Sequence, residues 1–334
     1  MKGFVVHKNE RYIGDNKRTK EISAFLKKER QNVPSRFKNH ITLNNAIEND
    51  DLSIDWKLFE KATKEAEKYF QSIDPNFSLM PHNRYLISQP NAKNIGGFYG
   101  RPVGGYYYFN DLGFSTTLDK NVVPNKKLRT LELVRNYLHD SMHSSTYRTF
   151  RVDYKTGMIF RHQYGINFRN ANRISYSAPN LNDKSPDAIN LNTWMDGLVH
   201  MQASEFIKQH YSNALYGDKL SPIEQEVWNE VQNMTFDKGI YSEPSEFYET
   251  VIEPVKGFMN KWGKGFLFDE TLKAMLSGQL DGLKDYFKQT FMHEDAWENM
   301  FQQDAYKDID SIPKQGNNIK YKQTKHSDKR HNRK

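Results

Sequence analysis

The sequence has no cysteine among its 334 residues. Disulfide bonds, thiolate-ligated metal centres and thiol nucleophiles are therefore excluded. Any bound transition metal would have to be held by histidine and carboxylate side chains. No apolar run approaches the roughly 18 residues that a membrane-spanning helix requires. The first residues do not form a Sec signal peptide, so we expect a cytoplasmic protein or one exported by a non-Sec route.

Three widespread enzyme motifs are also missing. The sequence contains no G-x-G-x-x-G, no P-loop and no G-x-S-x-G. A glycine-cradled nucleotide and a serine nucleophile on a strand-to-helix turn are therefore not indicated. Hydrophobic residues make up 37% of the chain and aromatic residues 13%, which is enough for a packed core.

The formal net charge of +7 comes from the two ends of the chain. Residues 1–40 contain 11 Lys and Arg against 4 Asp and Glu, and residues 314–334 contain 8 against 1. The remaining part has 29 basic and 36 acidic residues, so the body of the protein is acidic. We therefore expect no specific nucleic-acid partner, and only nonspecific contacts with anions through a disordered basic tail at 311–334.

Two segments with helical spacing carry the residues of greatest chemical interest. In the first, Leu131, Val134, Leu138 and Met142 follow one another at intervals of three and four. His139 and His143 lie four residues apart on this helix, so both imidazoles can point at one ion. Neutral imidazole nitrogen is a ligand of zinc, and the adjacent carboxylate of Asp140 can reach a zinc-bound water.

The His-Asp-x-x-His arrangement of residues 139–143 resembles the HExxH helix of zinc metallopeptidases, in which two histidines bind zinc and the glutamate is the general base. Here aspartate replaces glutamate, which brings the carboxylate of Asp140 about 1.5 Å nearer the helix backbone. The resemblance implies a zinc-dependent peptidase that acts on proteins or peptides. Zn²⁺ would be the cofactor, and Asp140 would be the general base that acts on a zinc-activated water.

The second helical segment, 191–207, is similar to the helix that carries the third zinc ligand in the gluzincin branch of these enzymes. A Glu-Gly pair is common there, and Asp196-Gly197 stands in its place with the same shortening of the side chain. The resemblance therefore implies Asp196 as the third metal ligand. Alternatively, His200, one turn later on the same face, is the third ligand and Asp196 holds its second nitrogen.

A peptidase of this type also needs a donor for the oxyanion beside the metal. Tyr176 is the preferred candidate by residue type, and Arg173, His162 and His210 are the others. Residues 105–111 are rich in tyrosine and could form an edge strand that binds an extended substrate. Residues 147–154 and 158–168 flank a glycine-containing turn, which predicts a β-hairpin.

The pattern of elements predicts an α+β fold, in which a small mixed or antiparallel sheet packs on the metal-binding helices and a mainly helical part follows. We divide the chain into a basic N-terminal segment (1–50), a metallopeptidase-like core (51–212), a helical subdomain (213–310) and the basic tail (311–334). Ser221, Pro222 and Glu224 form a capping-box pattern at the start of one C-terminal helix. Further helices are predicted at 243–261, 269–277, 280–291 and 294–301.

The same residues also fit two functions of other classes. His139-Asp140 also resembles the metal-binding pair of HD-type phosphohydrolases, which need an additional histidine upstream. The nearest is His82, in a proline-flanked loop 57 residues earlier. The second alternative is a non-enzymatic protein-binding module with a degenerate metal site, which the two shortened carboxylates favour.

Overall fold

The computed structural model of the protein describes residues 9–34, 37–38, 40–50, 52–88, 105–107, 109–168, 191–233 and 265–292. Its elements are, in chain order, β1 (Glu10–Ile13), α1 (Asn16–Gln31), β2 (Ile41–Thr42), α2 (Leu43–Asn49), α3 (Trp56–Ile73), a 3-10 turn (His82–Arg84), β3 (Tyr85–Ser88), β4 (Gly105–Tyr107), β5 (Leu112–Thr116), α4 (Lys126–Ser145), β6 (Arg148–Val152), β7 (Ile159–Tyr164), β8 (Asn167–Phe168), α5 (Leu191–Tyr211), α6 (Pro222–Asn233), α7 (Gly265–Ser277) and α8 (Asp281–Phe291). The predicted α+β class is confirmed. None of the described helices is long and apolar enough to cross a membrane.

Two mixed sheets of four strands are present where the sequence predicted one. In the first sheet, with strand order β1-β6-β7-β8, β6 and β7 form the predicted hairpin and Gly157 adopts a φ of 70° in its turn. Strand β1 pairs in parallel with β6, from Glu10 opposite Arg148 to Ile13 opposite Arg151. Part of the segment 1–50 is therefore built into this sheet.

The second sheet has the order β2-β3-β5-β4. Strands β3 and β5 are parallel, while β2 and β4 are antiparallel to their neighbours. Strand β4 pairs with β5 alone among the described strands, so it lies at the edge where an edge strand was predicted.

Helix α4 forms the centre of the core and contacts α3, α5, α6, β4 and β5. The four apolar residues that defined its predicted face, Leu131, Val134, Leu138 and Met142, are fully buried. Every residue from Leu128 to Ser145 is buried, so the polar sides of the helix are enclosed as well. A helix of this kind is stable only if its polar side chains have hydrogen-bond partners.

The hydroxyl groups on one side of α4 form hydrogen bonds with the extended segment 78–80. The Ser145 hydroxyl donates to the Ser78 carbonyl at 2.6 Å and accepts from the Ser78 amide at 3.1 Å. One turn earlier, the Ser141 hydroxyl accepts from the Met80 amide at 3.1 Å, and the Tyr137 hydroxyl donates to the Met80 carbonyl. Side chains four residues apart thus pair with this segment much as a neighbouring strand would.

Arg148 joins the two sheets to the end of α4. Its side chain is fully buried, and its guanidinium donates to the Tyr106 hydroxyl and to the Ser144 carbonyl. It also lies 3.3 Å from a carboxylate oxygen of Asp111. Because β6 begins at Arg148, this network fixes the chain directly after the histidine-bearing turn of α4.

Side-chain caps mark the starts of α3 and α6. The Asp55 carboxylate accepts from the Leu58 amide at 3.1 Å at the start of α3. Ser221 and Glu224 form the predicted capping box of α6, with the Glu224 carboxylate accepting from the Ser221 amide at 2.9 Å. Helices α7 and α8 confirm the predictions for 269–277 and 280–291. The helices predicted at 243–261 and 294–301, and the tail at 311–334, lie outside the described residues.

Candidate metal centre

Helix α4 brings His139 and His143 to one side, in its last two turns, as the four-residue spacing predicted. Their exposed fractions are 7% and 6%, and their ring centroids are 4.7 Å apart. Helix α5 packs against α4 through buried apolar residues that include Trp194 and Leu198. Asp196 lies between these two positions of α5, and its side chain faces the histidines.

The three side chains converge on one point. The Oδ1 atom of Asp196 is 3.2 Å from Nε2 of His139 and 2.9 Å from Nε2 of His143. Ligand atoms of all three residues lie within 4.8 Å of one another. Ligands of a tetrahedral metal at about 2.05 Å are separated by about 3.3 Å, which is close to both contacts. His139, His143 and Asp196 could therefore bind a metal ion.

The charges and burial around Asp196, His139 and His143 favour an ionised aspartate and at least one neutral imidazole. Burial raises the pKa of Asp196, but hydrogen bonds and charge from His139 and His143 outweigh it and bring that pKa far below its ordinary value. Burial lowers the pKa of His139, yet Asp196 and Asp140 raise it above its ordinary value. For His143, burial is the larger effect and its pKa is lowered. The group therefore offers a carboxylate and at least one neutral imidazole near pH 7, which are the protonation states that metal ligands need.

In each histidine, the ring nitrogen that does not face Asp196, Nδ1, also has a partner. Nδ1 of His143 lies 2.9 Å from the hydroxyl of Tyr164, at the end of β7. Nδ1 of His139 lies 3.1 Å from Nδ1 of His200. His200 therefore lies on the side of His139 that is turned away from Asp196. In this position it can hold the His139 ring but is not part of the group around Asp196 Oδ1. Burial, together with the charge of Arg135, lowers the pKa of His200 well below its ordinary value, so this imidazole is neutral.

Asp140 lies next to the group but faces the second sheet. Its side chain has no exposed surface, and its Oδ2 atom accepts from the Phe114 amide of β5 at 3.0 Å. Burial raises the pKa of Asp140 to about 7, against the opposing influence of the His139 charge and of backbone amides in β4 and β5. The carboxyl fits against β5 because residue 113 is glycine: a Cβ atom there would lie 2.7 Å from Asp140 Oδ2.

Of the other predicted candidates, His162 and His210 are described and are not part of this cluster. Tyr176 and Arg173 lie outside the described residues. His162 contacts the ring of Phe160, and His210 contacts the rings of Tyr69 and Phe206.

His82, which an HD-type site would need, packs against the rings of Phe59 and Tyr137. It is not one of the three residues, His139, His143 and Asp196, whose ligand atoms lie within 4.8 Å of one another. Asp140, the other ligand of an HD-type site, has its carboxyl turned to β5.

Tyr164 is the residue of the site that the sequence did not single out. It was predicted as part of the hairpin, and no spacing to His143 marks it, because the two residues are brought together by the return of β7 along β6. The ring of Tyr164 is covered by the guanidinium of Arg161, 3.6 Å from the ring centroid. This contact is within the range of a cation–π interaction.

Comparisons with known proteins add no assignment. No protein-family model, no curated protein and no solved structure matches the chain.

Proposed function

We propose that the protein is a zinc-dependent hydrolase that cleaves peptide bonds. The observation that carries this proposal is the convergence of His139, His143 and Asp196 from two packed helices, with both histidine contacts to Asp196 at 3.2 Å or less. Two histidines four residues apart on one helix and a carboxylate from a second helix form the ligand set of the gluzincin-like peptidases that the sequence resembles.

The ligand types favour zinc over the harder cations. Imidazole nitrogen suits zinc, copper, iron and nickel, whereas magnesium and calcium prefer sites made of oxygen. Three protein ligands leave a fourth position of a tetrahedral zinc open, which is typical of catalytic rather than structural sites. Zinc bound there would supply a Lewis acid and a water molecule of lowered pKa.

In this proposal Asp140 is the general base. Its pKa of about 7 is suited to accepting and returning a proton near neutral pH. A bound divalent cation would lower this value, because a nearby positive charge favours the carboxylate form. Asp140 would accept the proton of the attacking water and transfer it to the leaving nitrogen. Tyr176 remains the proposed oxyanion donor.

The position of strand β4 favours a polypeptide as the substrate. It lies at the edge of the second sheet among the described strands, and its Gly105 backbone is close enough to Asp140 to lower the pKa of that carboxyl. An edge strand presents backbone donors and acceptors to which an extended peptide can pair. A peptide bound along β4 would therefore lie beside the proposed base.

The burial of Asp140 favours one second candidate, a metal-binding protein without hydrolytic activity. Its carboxyl has no exposed surface and is held by the Phe114 amide, so it could serve only to join α4 to β5. The HD-type alternative has less support, because it requires Asp140 and an upstream histidine as metal ligands, and their contacts are elsewhere.

Metal analysis of the purified protein is the test. We expect stoichiometric zinc in the wild type and its loss in both His139→Ala and Asp196→Ala. His82→Ala is the matched control, since this histidine packs on aromatic rings outside the group and its loss should leave zinc bound. A wild-type protein that binds no divalent metal would end the proposal.

Hydrolysis then separates the two candidates. With a fluorogenic peptide library as substrate, Asp140→Asn should retain zinc and lose activity, because the amide cannot accept the proton. Full activity in this variant would remove Asp140 as the base. Zinc binding without hydrolysis in the wild type would favour the non-enzymatic candidate, and phosphatase activity with manganese or iron would favour the HD-type alternative.

A further inference from the structure

The hydroxyl of Tyr164 has two hydrogen-bond partners on the same residue. It lies 2.9 Å from Nδ1 of His143 and 2.9 Å from the carbonyl oxygen of His143. The side chain of Tyr164 is 5% exposed, and the Arg161 guanidinium covers its ring. The hydroxyl is thus held in one place while its hydrogen can rotate between two acceptors.

The position of the His143 proton depends on what Nε2 contacts. Without a metal, Nε2 is 2.9 Å from the ionised carboxylate of Asp196, which can only accept a hydrogen bond. In the neutral imidazole the proton is then on Nε2, and Nδ1 accepts from the Tyr164 hydroxyl. When a metal binds Nε2, this nitrogen needs its lone pair, so the proton of the neutral ring is on Nδ1.

Tyrosine is suited to both states because its hydroxyl is a donor and an acceptor. With the proton on Nδ1, the oxygen of Tyr164 accepts from Nδ1, and the hydroxyl donates to the His143 carbonyl instead. A carboxylate or carbonyl partner could only accept and would pair with the second state alone. Neither state of His143 therefore leaves Nδ1 of His143 or the Tyr164 hydroxyl without a partner.

We propose that Tyr164 is the positioning residue of the metal centre, and that its hydroxyl reverses its hydrogen bond to Nδ1 of His143 when a divalent metal binds Nε2. The inference rests on the metal site of the proposed function but not on its hydrolytic activity. Partners of this kind fix the ring orientation and tautomer of a histidine ligand.

The affinity for zinc tests the role of the hydroxyl. In Tyr164→Phe we expect zinc, measured by competition with a chromogenic chelator, to bind about 10–100-fold more weakly than in the wild type. Tyr137→Phe is the matched control, because it also removes a buried hydroxyl that donates to a backbone carbonyl, and it lies on α4 two residues before His139. Both variants should unfold at lower urea concentration, but only Tyr164→Phe should bind zinc less tightly.

A second measurement uses the wild type, so it does not depend on the folding of a variant. Long-range ¹H–¹⁵N correlation spectra of protein with ¹⁵N-labelled histidine report which ring nitrogen carries the proton. We expect His143 to be protonated on Nε2 at neutral pH without metal and on Nδ1 after addition of one equivalent of zinc. The spectrum of zinc-loaded Tyr164→Phe should show a changed Nδ1 resonance for His143.

The outcomes separate this inference from the proposed function. Equal zinc affinity in Tyr164→Phe and wild type, or a zinc-loaded His143 with its proton on Nε2, would overturn the role of Tyr164 while leaving the metal site intact. Wild-type protein that binds no zinc would overturn the metal site and, with it, this inference. Weak zinc binding in Tyr164→Phe together with tight binding in Tyr137→Phe would support it, even if no peptide is hydrolysed.

Discussion

The buried carboxyl of Asp140 makes the stability of the metal-free protein depend on pH. Its pKa is about 7 in the folded protein, because burial disfavours the charged form, against an ordinary value of 3.8. Between about pH 4 and pH 7 the folded protein therefore holds this proton while the unfolded chain has released it. The contribution of Asp140 to the free energy of unfolding falls as the pH rises from about 4 to about 7. Above about pH 7 this contribution is constant.

The size of this effect follows from the two pKa values. A change of one pKa unit corresponds to about 1.4 kcal/mol, so the carboxyl should cost about 4 kcal/mol of stability once it is ionised. Asp140→Asn keeps the size of the side chain and an oxygen for the Phe114 amide, but it cannot ionise. We expect the unfolding free energy of the wild type minus that of Asp140→Asn to fall by about 4 kcal/mol from about pH 4 to pH 8.

Urea unfolding in the presence of a chelator, repeated across this pH range, measures the difference directly. The other titrating groups are common to both proteins and cancel, except for His139, whose pKa is raised by Asp140 in the wild type alone. Asp153→Asn is the control: this carboxylate is exposed, and hydrogen bonds from Thr156 and from the Lys155 amide lower its pKa, so its difference curve should be flat above about pH 4. A flat curve for Asp140→Asn as well would refute the argument that burial controls the ionisation of Asp140.

Three further predictions concern packing, metal binding and capping. Gly113→Ala should lower the unfolding free energy by about 1–3 kcal/mol in urea titrations, because the new Cβ would meet Asp140, Met80 and Tyr85 atoms at 2.7 Å; unchanged stability would show that β5 moves freely. Zinc at a hundredfold excess over its dissociation constant should stabilise the wild type by about 2.7 kcal/mol in the same assay, and no such gain should occur in His143→Ala. Ser221→Ala should cost about 1 kcal/mol through loss of the helix cap, with no change in zinc affinity.

The sequence predicted the features that depend on residues close together in the chain. The spacing of apolar residues predicted α4, and the Ser221 capping box predicted where α6 begins. The pairing of His139 with His143 follows from helix geometry alone. These predictions succeeded because each depends on residues within one or two turns of each other.

Contacts between distant parts of the chain could not be predicted in this way. The parallel pairing of β1 with β6 joins residues 138 positions apart, Glu10 and Arg148. No periodicity in either strand identifies its partner, because a strand pattern states only which face is buried. The position of Tyr164 beside His143 has the same origin, since it depends on the register of β7 against β6. The sequence therefore predicted His139 and His143 by spacing and Asp196 by resemblance, but not Tyr164 as the partner of His143 Nδ1.

The polar composition of α4 indicates a function for its buried histidines. A buried helix is most stable with apolar side chains on all sides, and each buried polar group must regain in the protein the hydrogen bonds it loses from water. Ser141 and Ser145 regain these hydrogen bonds with the segment 78–80, so their role is to join α4 to that segment. The two histidines have a different arrangement: both place a ring nitrogen on the same carboxylate oxygen, with Asp196 held in its ionised form. The Asp196 oxygen can accept from both imidazoles, but two imidazole nitrogens and a carboxylate oxygen within 4.8 Å of one another are also the ligands that a metal ion needs, so we propose that an ion bound there is the reason why these side chains are buried together.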